Sequence, residues 1–297
     1  MRNAAERLES PTRMRCPVCD APPVPSCEWH PAPRATPTCP CVVRCRICGH
    51  RFRPRPDDAL IRGTVYDARY HESRQTRGTP GFVFKQATFT LHLREIGRAC
   101  GSVARKTLLD VGCATGDFLE MARSAGLDAS GVDISAHAVA RATARGLRAV
   151  CGTIDAVVDG PFDVIHTSHV LEHVPDVRAF ARRMWTLLRP GGTALVEVPN
   201  EFENLLSALP RLLGGPVGGR FDAPHLHYFG SGSLARLFRD EGFAVRRILT
   251  YSHRRPVDHQ AQLRTLLRHV HGPNALLRIG DRIGRGRNLV LVGRRPS

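Results

Sequence analysis

A short glycine-rich loop with two nearby acidic residues is the part of the chain best suited to binding a ligand. Gly112 and Gly116 enclose small residues, so a ligand can approach the backbone where the following helix exposes unpaired N–H groups. Asp110 precedes the loop, and a carboxylate there would repel a phosphate but suits an ammonium group. Asp133 ends the next predicted strand, where an acid can accept hydrogen bonds from both hydroxyls of a ribose. The loop lacks the G-x-G-x-x-G spacing of dinucleotide sites, so the pattern indicates a cationic nucleoside ligand.

Seven of the ten cysteines lie between Cys16 and Cys48, which indicates either disulfides or a metal site. Cys16 and Cys19 form one C-x-x-C knuckle, and Cys45 and Cys48 form a second one. Each knuckle offers two thiolates on a tight turn, and two knuckles complete a tetrahedral zinc shell. Four further residues could replace one of these ligands: Cys27, His30, Cys39 and Cys41. A thioredoxin-like redox role would require a βαβ setting, which the pattern lacks.

The elements that must position these residues follow a regular alternation. From Thr107 onward, short β-rich runs alternate with helical segments, which predicts an α/β, Rossmann-like, doubly wound sheet of seven mostly parallel strands. The predicted strands are residues 108–111, 129–133, 148–151, 162–166, 193–198, 243–250 and 288–293. The predicted helices are residues 117–124, 179–188 and 234–241, and Ser135 is the expected N-cap of another. Arg-Pro-Gly-Gly at 189–192 is predicted to stop a helix before the next strand begins.

Composition divides the chain into three predicted regions. Residues 1–58 are rich in Cys, Pro and Arg and lack the periodicity of an ordinary core, so a zinc-ribbon-like module held by metal is expected there. Residues 59–105 are predicted to form a helical linker or lid, with Tyr66 and Tyr70 before the apolar positions. Residues 106–297 form the domain that contains the glycine loop, and within it the Pro- and Gly-rich stretch of about 200–230 is expected to cover the site.

Charge and hydropathy narrow the classes of protein. The formal net charge of +16 would suit a polyanionic partner, but the cations are scattered arginines apart from Lys85 and Lys106, which favours compositional bias. Anionic small molecules, such as nucleotide-linked sugars, would also suit this surface. No apolar run approaches the roughly 18 residues of a membrane span, and residues 1–15 lack the apolar core of a signal peptide. We therefore expect a cytoplasmic protein, in which a reducing environment favours metal over disulfides.

Four segments occur in an order and spacing that resemble class I S-adenosylmethionine (SAM)-dependent methyltransferases. They are LLDVGCATGDFLE from residue 108, GVDIS from 131, FDVIHTSHVLEHVPD from 162 and LLRPGGTALVEVPN from 187. The resemblance implies that the loop lines the methionine side of SAM, that Asp133 holds the ribose and that Asp155 meets the adenine. The full set of implied cofactor contacts is Asp110, Gly112, Cys113, Ala114, Gly116, Asp133, Ile134, Asp155 and Thr167. VRCRICGHRFRPRP, from residue 43, resembles zinc-ribbon modules fused ahead of methyltransferases.

Two histidine-rich segments lie where this family contacts its acceptor. The first segment is 167–173, and within it residues 169–173 also match the H-x-x-E-H zinc-protease motif, but the family context explains them as the segment after the fourth strand. Some relatives that methylate quinone precursors bind a divalent cation through acids at this place, and His169 departs from that pattern. The second segment, PHLHYF at 224–229, resembles one that follows the fifth strand in many small-molecule methyltransferases. We predict that His173 or His227 is the catalytic base, and loop packing is the alternative for the second segment.

Three functions remain open at this point. The first is methylation of an oxygen or carbon atom of a small molecule, such as a sugar, a lipid-linked glycan or another metabolite. The second is an RNA methyltransferase that uses the ribbon and the arginines to hold nucleic acid, and the third is a catalytically inactive regulatory protein that binds zinc and SAM. The missing Asn/Asp-Pro-Pro-aromatic motif, which grips planar amines, favours the first over the second. The intact glycine loop disfavours the third.

Overall fold

The computed structural model describes residues 15–21, 27–29, 42–53, 80–205, 207, 225–252 and 271–297. Its strands are β1 (Cys27–Trp29), β2 (Val42–Arg44), β3 (Arg51–Phe52), β4 (Thr107–Val111), β5 (Asp128–Asp133), β6 (Arg148–Cys151), β7 (Phe162–Ser168), β8 (Leu188–Pro199), β9 (His227–Tyr228), β10 (Ala244–Tyr251) and β11 (Asn288–Arg294). Its helices are α1 (Pro80–Cys100), α2 (Asp117–Ser124), α3 (Ala136–Ala144), α4 (Val177–Leu187), α5 (Ser231–Asp240) and α6 (His271–Arg282). Two 3₁₀ helices, Ile154–Ala156 and Leu171–His173, follow β6 and β7.

Seven of these strands form one sheet in the order β10–β11–β8–β7–β4–β5–β6. The five strands from β8 to β6 run parallel to one another, whereas β11 runs antiparallel to both β8 and β10. The chain proceeds outward from β4 to β5 and β6 and then returns to the other side of β4 at β7. This reversal opens a crevice at the carboxyl ends of β4 and β7, where open α/β sheets bind their ligands. The predicted doubly wound, seven-stranded fold is thus confirmed.

The segment Arg-Pro-Gly-Gly at 189–192 lies inside a strand, which corrects the expectation that it would separate a helix from the next strand. α4 ends at Leu187 and β8 begins at the next residue. Phe162 of β7 pairs with Leu188, but Val164 pairs with Thr193, so β8 holds several extra residues at this point. An irregular stretch of strand tolerates proline and glycine because its backbone is not fully engaged in the ladder.

Helix α1 packs on the core through one face. Phe89, His92 and Ile96 recur at helical spacing and are buried. None of the helices in the described ranges is long and apolar enough to span a membrane. The remainder of the predicted linker, residues 59–79 with Tyr66 and Tyr70, lies outside the described residues, as do residues 206 and 208–224 of the predicted cap.

The short strands form a second sheet in the order β1–β2–β3–β9. Its first three strands come from the cysteine-rich region, and β9 comes from the segment between β8 and α5. Cys16, Cys45 and Phe52 belong to one buried cluster with Phe229 and Leu234 of the main domain. The cysteine-rich module is therefore built onto the large domain, with which it shares a sheet and a core.

Candidate cofactor and acceptor site

The loop between β4 and α2 has no room for side chains at its two glycines. Gly112 has φ +81° and Gly116 has φ +85°, a left-handed conformation that favours glycine. A Cβ atom on Gly112 would overlap Cγ2 of Val170, and one on Gly116 would overlap Cδ1 of Leu147. The loop is therefore a tight backbone cradle at the carboxyl end of β4.

Asp133, at the end of β5, ties this cradle to the neighbouring strand. Its Oδ2 accepts a hydrogen bond from the backbone N–H of Ala114 at 2.8 Å, and its Oδ1 accepts one from the N–H of Ser135 at 2.8 Å. Each carboxylate oxygen keeps a second lone pair, so both could still accept a ribose hydroxyl. Ser135 caps α3 through its Oγ, as the sequence predicted.

Asp110 faces a buried row of histidines on the other side of β4. Its Oδ1 accepts a hydrogen bond from Nδ1 of His166 at 2.7 Å, and Nε2 of His166 lies 2.9 Å from Nδ1 of His92. The ring of Phe118 stacks on His166 with centroids 3.7 Å apart. A consistent set of protons has His92 donating to His166 and His166 donating to Asp110. The carboxylate is therefore fixed by β7 and α1.

The other residues predicted to contact the cofactor differ in solvent exposure: two are buried and two are exposed. Cys113 is buried against Gly131, and burial raises the pKa of its thiol. Ile134 is half-exposed beyond β5, and Asp155 is exposed in the 3₁₀ helix after β6. Thr167 is fully buried at the end of β7, and its Oγ1 has no hydrogen-bond partner among the described residues. An unsatisfied buried hydroxyl beside the loop is a place where a ligand would add a hydrogen bond.

His169 follows β7 directly and occupies a strained conformation. Its φ of +55° is left-handed, which is unusual for a residue with a side chain and is concentrated at functional sites. Its half-exposed ring lies between two carboxylates, with Nε2 3.6 Å from Oε1 of Glu197 and Nδ1 3.2 Å from Oε1 of Glu172. Burial opposes protonation, but Glu197 and Glu172 outweigh it and hold the pKa of His169 well above its usual value. The two carboxylates therefore favour the protonated form of His169 at the edge of the crevice.

Glu172, His173 and His225 form a cluster next to His169. Oε1 of Glu172 lies 3.8 Å from Nε2 of His173, and the His173 and His225 rings meet edge to face at 4.7 Å. Burial raises the pKa of Glu172, but hydrogen bonding from His169 and the nearby imidazoles bring the net value below the usual range. One atom from each of the three residues lies within 4.8 Å of the others, a spacing that would also suit a divalent cation. Nδ1 of His225 lies 2.9 Å from Oε1 of Glu201.

A protein-family model described as a methyltransferase domain matches residues 86–248, more than half of the chain. The chain belongs to this methyltransferase family. The ubiquinone biosynthesis O-methyltransferase of Bordetella avium is 31% identical over 141 residues, which are 41% of this methyltransferase and 58% of that protein. The protein of the same name from Methylococcus capsulatus is 32% identical over 154 residues, covering 48% and 64% of the two chains. The methyltransferase thus spans about three-fifths of the length of these curated relatives.

Solved structures share the fold of this methyltransferase at low sequence identity. A Haemonchus contortus phosphoethanolamine N-methyltransferase 2 in complex with SAM has a TM-score of 0.56 and 16% identity, covering 82% of this chain and 62% of that one. A SAM-dependent methyltransferase from Archaeoglobus fulgidus has a TM-score of 0.52 and 17% identity, covering 77% and 100%. Together with the family match, these structures establish the Rossmann-like methyltransferase fold.

The cradle of this methyltransferase fits SAM, the methyl donor of the family. The two glycines allow a ligand to approach the backbone closely. The Asp133 oxygens can each accept a further hydrogen bond, and the buried Thr167 hydroxyl has no hydrogen-bond partner among the described residues. Charge also fits, because the buried carboxylate of Asp110 lies at the end of β4, next to the loop, and would suit the ammonium group of SAM. These residues are the ones that could hold SAM.

Four thiols meet in the cysteine-rich module of the methyltransferase, at Cys16, Cys19, Cys45 and Cys48. The Sγ atoms of Cys16 and Cys48 are 3.6 Å apart, and those of Cys19 and Cys45 are 3.6 Å apart. Tetrahedral zinc with Zn–S bonds of about 2.3 Å separates its sulfur ligands by roughly 3.8 Å, so the donor set fits zinc. The contact between the Cys16 and Cys48 thiols lowers the pKa of Cys16 and raises that of Cys48, as expected for a pair of thiols that share one proton. Of the alternative ligands, His30, Cys39 and Cys41 lie outside the described residues, as does the side chain of Cys27.

His227, one of the two predicted bases, lies in the junction between the small sheet and the main domain. Its Nε2–H donates to the backbone oxygen of Val174 at 3.0 Å, and its Nδ1 lies 3.2 Å from Nε2 of His50. Burial lowers the pKa of His227 to about 4, because the charged form would lose its hydration. With both ring nitrogens engaged and the ring buried, these contacts favour the packing alternative over a catalytic role.

The structure adds several site residues that the sequence analysis did not select. Glu197 of β8 is fully buried and contacts Ser168, His92 and Tyr251 as well as His169. A glutamate within the apolar run at 194–198 is a signal that could have been noticed. His92 gave a weaker signal, as the single imidazole on the apolar face of α1.

Replacing Ala114 by glycine should stabilise the methyltransferase by about 0.5–1 kcal/mol. Ala114 has φ +47°, and an alanine in the left-handed region costs roughly 1–2 kcal/mol, which exceeds the extra entropy that glycine loses on folding. Urea denaturation of the wild type and of Ala114→Gly would measure the difference. A lower unfolding free energy in the variant would show that the conformation of Ala114 is not strained.

Proposed function

We propose that this methyltransferase transfers a methyl group to a hydroxyl oxygen of a small-molecule acceptor, with His173 as the base. The observation that carries the proposal is the placement of His173 between the Glu172 carboxylate and the His225 ring, just beyond β7. Bound SAM supplies an electrophilic methyl group and leaves as a neutral thioether. The names of the relatives, which are O-methyltransferases, favour oxygen over carbon as the acceptor atom.

The neighbours of His173 suit the work of a base. His173 would accept the proton of the acceptor hydroxyl as the oxygen attacks the methyl group. Glu172, 3.8 Å from Nε2, would stabilise the resulting imidazolium, as the third group of a catalytic triad does. His225 is held by Glu201 and packs against the His173 ring, which restricts its orientation.

The overall charge of the chain favours an acceptor that carries negative charge. Both ring nitrogens of His169 face carboxylates, Nδ1 that of Glu172 and Nε2 that of Glu197, so His169 orders these acids at the edge of the crevice. The net charge of +16 would help to attract such a molecule. A sugar, a lipid-linked glycan or another metabolite with a hydroxyl group and an acidic group would suit this charge and the proposed transfer.

The proposal also includes the predicted cofactor contacts, zinc and domain boundaries. SAM would be contacted by Asp110, Gly112, Cys113, Ala114, Gly116, Asp133, Ile134, Asp155 and Thr167, and zinc by the four cysteines of the two knuckles. We propose a zinc ribbon over residues 1–58, a linker over 59–105, and a methyltransferase domain over 106–297 with a substrate cap at about 200–230.

The test is methyl transfer from radiolabelled SAM to a panel of phenols, catechols, phenolic acids and nucleotide-linked sugars, with product analysis to locate the methyl group. With a substrate in hand, His173→Gln should lower kcat by about 100-fold and leave SAM affinity unchanged. His137→Gln, at an exposed position on α3, is the matched control. Wild-type turnover in His173→Gln would refute the base assignment, and methylation at carbon would refute the proposed acceptor atom.

Two outcomes would select other functions. The first is loss of turnover on chelation, with recovery in Mg²⁺ but not in Zn²⁺. It would indicate that Glu172, His173 and His225 bind a catalytic cation and that His173 is not the base. RNA binding with a steep salt dependence, lost when residues 1–58 are removed, would favour the RNA alternative. Against that alternative, many described arginines face acids, including Arg145, Arg178 and Arg182.

A further inference from the structure

The ribbon contributes a strand-to-strand contact to the acceptor side of the methyltransferase. β3 pairs antiparallel with β9, with Phe52 opposite His227 and Arg51 opposite Tyr228. The ladder continues past the strands, because the backbone N–H of Arg53 donates to the oxygen of Leu226 at 2.9 Å. Residues 226–228 are thus held at the edge of the ribbon sheet.

His50 connects the thiol cluster to this segment. Its backbone oxygen accepts a hydrogen bond from the N–H of Cys45 at 2.8 Å, and its fully buried ring packs on that of Phe229 with centroids 4.8 Å apart. Nε2 of His50 lies 3.2 Å from Nδ1 of His227, whose Nε2–H donates to the oxygen of Val174. Because the N–H of His227 is on Nε2 and donates to Val174, its Nδ1 accepts, and His50 is the donor in the hydrogen bond between the two rings. A continuous row of hydrogen bonds therefore runs from the knuckle to the residue after His173.

The segment held by the ribbon is the one that places the acceptor-side histidines. His225 immediately precedes Leu226, whose backbone N–H donates to the oxygen of Glu172 at 2.8 Å. His227 holds Val174 on the other side of His173. The backbone on both sides of His173 is thus fixed by residues 226 and 227, which the ribbon fixes in turn.

The cofactor loop, residues 112–116, is held by contacts with other parts of the main domain. The backbone N–H groups of Gly112 and Cys113 donate to Val132, and that of Ala114 donates to Asp133, both on β5. Lys85 of α1 and Arg145 form ion pairs with Asp117 at the start of α2. None of these described contacts involves a residue of the ribbon.

We propose that His50 is a positioning residue through which the metal-bound ribbon orders the acceptor side of the site, independently of SAM binding. This inference rests on the proposed function only in taking His173 and His225 as the acceptor side. Loss of metal or of the His50 hydrogen bond would loosen residues 225–229 and 171–174 and leave the cofactor loop intact.

Amide hydrogen exchange on the full-length protein tests the proposal without an acceptor. His50→Phe keeps an aromatic ring in the buried site and removes the donor, whereas His50→Gln keeps a donor near the Nε2 position. We expect exchange in peptides covering 171–174 and 225–229 to rise by about tenfold in His50→Phe and less in His50→Gln. Ile47→Ala, at a residue 71% exposed on the same knuckle, is the control and should match the wild type.

SAM affinity measured by calorimetry on the same variants completes the test, and we expect it to change by less than about twofold. Chelation of the wild type should reproduce the exchange pattern of His50→Phe. Unchanged exchange in His50→Phe, or a rise that extends equally to residues 107–116, would overturn the proposal. A failure of the proposed O-methylation would appear only in the transfer assay, so the two failures are distinguishable.

Discussion

Replacing Gly112 by alanine will weaken SAM binding by on the order of 1,000-fold. The backbone at this position is left-handed, at φ +81°, which penalises any side chain. The new Cβ would also overlap Cγ2 of Val170, so either the cradle or the turn after β7 must move. A cradle built from backbone groups cannot adapt to such a shift without losing its contacts with the ligand. Isothermal calorimetry with SAM measures the loss directly.

The chain offers a control for the backbone strain alone. Gly146 has φ +72°, and a Cβ atom there would meet no atom within 4 Å, so Gly146→Ala carries the strain without the overlap. It should lose about 1 kcal/mol of stability and keep its SAM affinity. In the double variant Gly112→Ala/Val170→Ala, the side chain that the new Cβ atom would overlap is shortened, so part of the SAM affinity should be recovered. Wild-type affinity in Gly112→Ala would contradict the assignment of this loop as the SAM cradle.

The protein purified without chelator should contain about one zinc ion per chain, and Cys45→Ser should contain almost none. Cys45 is buried in the core cluster that the ribbon shares with the main domain, so loss of the metal would disturb that core. Structural zinc contributes on the order of 10 kcal/mol to the folding free energy of small modules. A loss of only about a third of this stability would lower the Tm by roughly 10 °C. Metal analysis and calorimetric melting provide the two measurements.

Cys100→Ser is the matched control for the zinc experiment. Cys100 lies at the end of α1, where its thiol contacts Thr193, and it packs against a different buried cluster from that of the four cysteines. It should keep its zinc and nearly all of its stability. Less than about half a zinc ion per wild-type chain would refute the site. A Cys45→Ser variant that keeps its zinc would instead show that Cys27, His30, Cys39 or Cys41 supplies a ligand.

Much of the large sheet could be predicted from the sequence alone. The strands at Arg148–Cys151 and the helix at Asp117–Ser124 were predicted with the bounds that the structure shows. Ser135 caps α3 as expected, and the positive φ angles of Gly112 and Gly116 agree with a glycine loop. These features depend on residues within a few positions of one another, so local propensity and turn chemistry are sufficient to indicate them.

The acceptor side could not be predicted in the same way. His50 and His227 are 177 positions apart, and His92 and His166 are 74 apart, so no local pattern reveals either contact. The sequence offered His173 and His227 as candidates for the base. The pairing of β3 with β9 separates them, because it buries His227 in the ribbon junction, whereas His173 lies beside Glu172 and His225.

The sequence by itself determined the methyl donor, the order of the strands along the chain and the four thiols that could hold zinc. Only the tertiary structure decided which carboxylates and imidazoles share the acceptor side, and that the ribbon supplies an edge to it. The physical reason is that glycine loops, caps and knuckles are set by neighbouring residues. The protonation and orientation of a buried histidine are set by whichever distant charges the packed fold brings within a few ångströms of it.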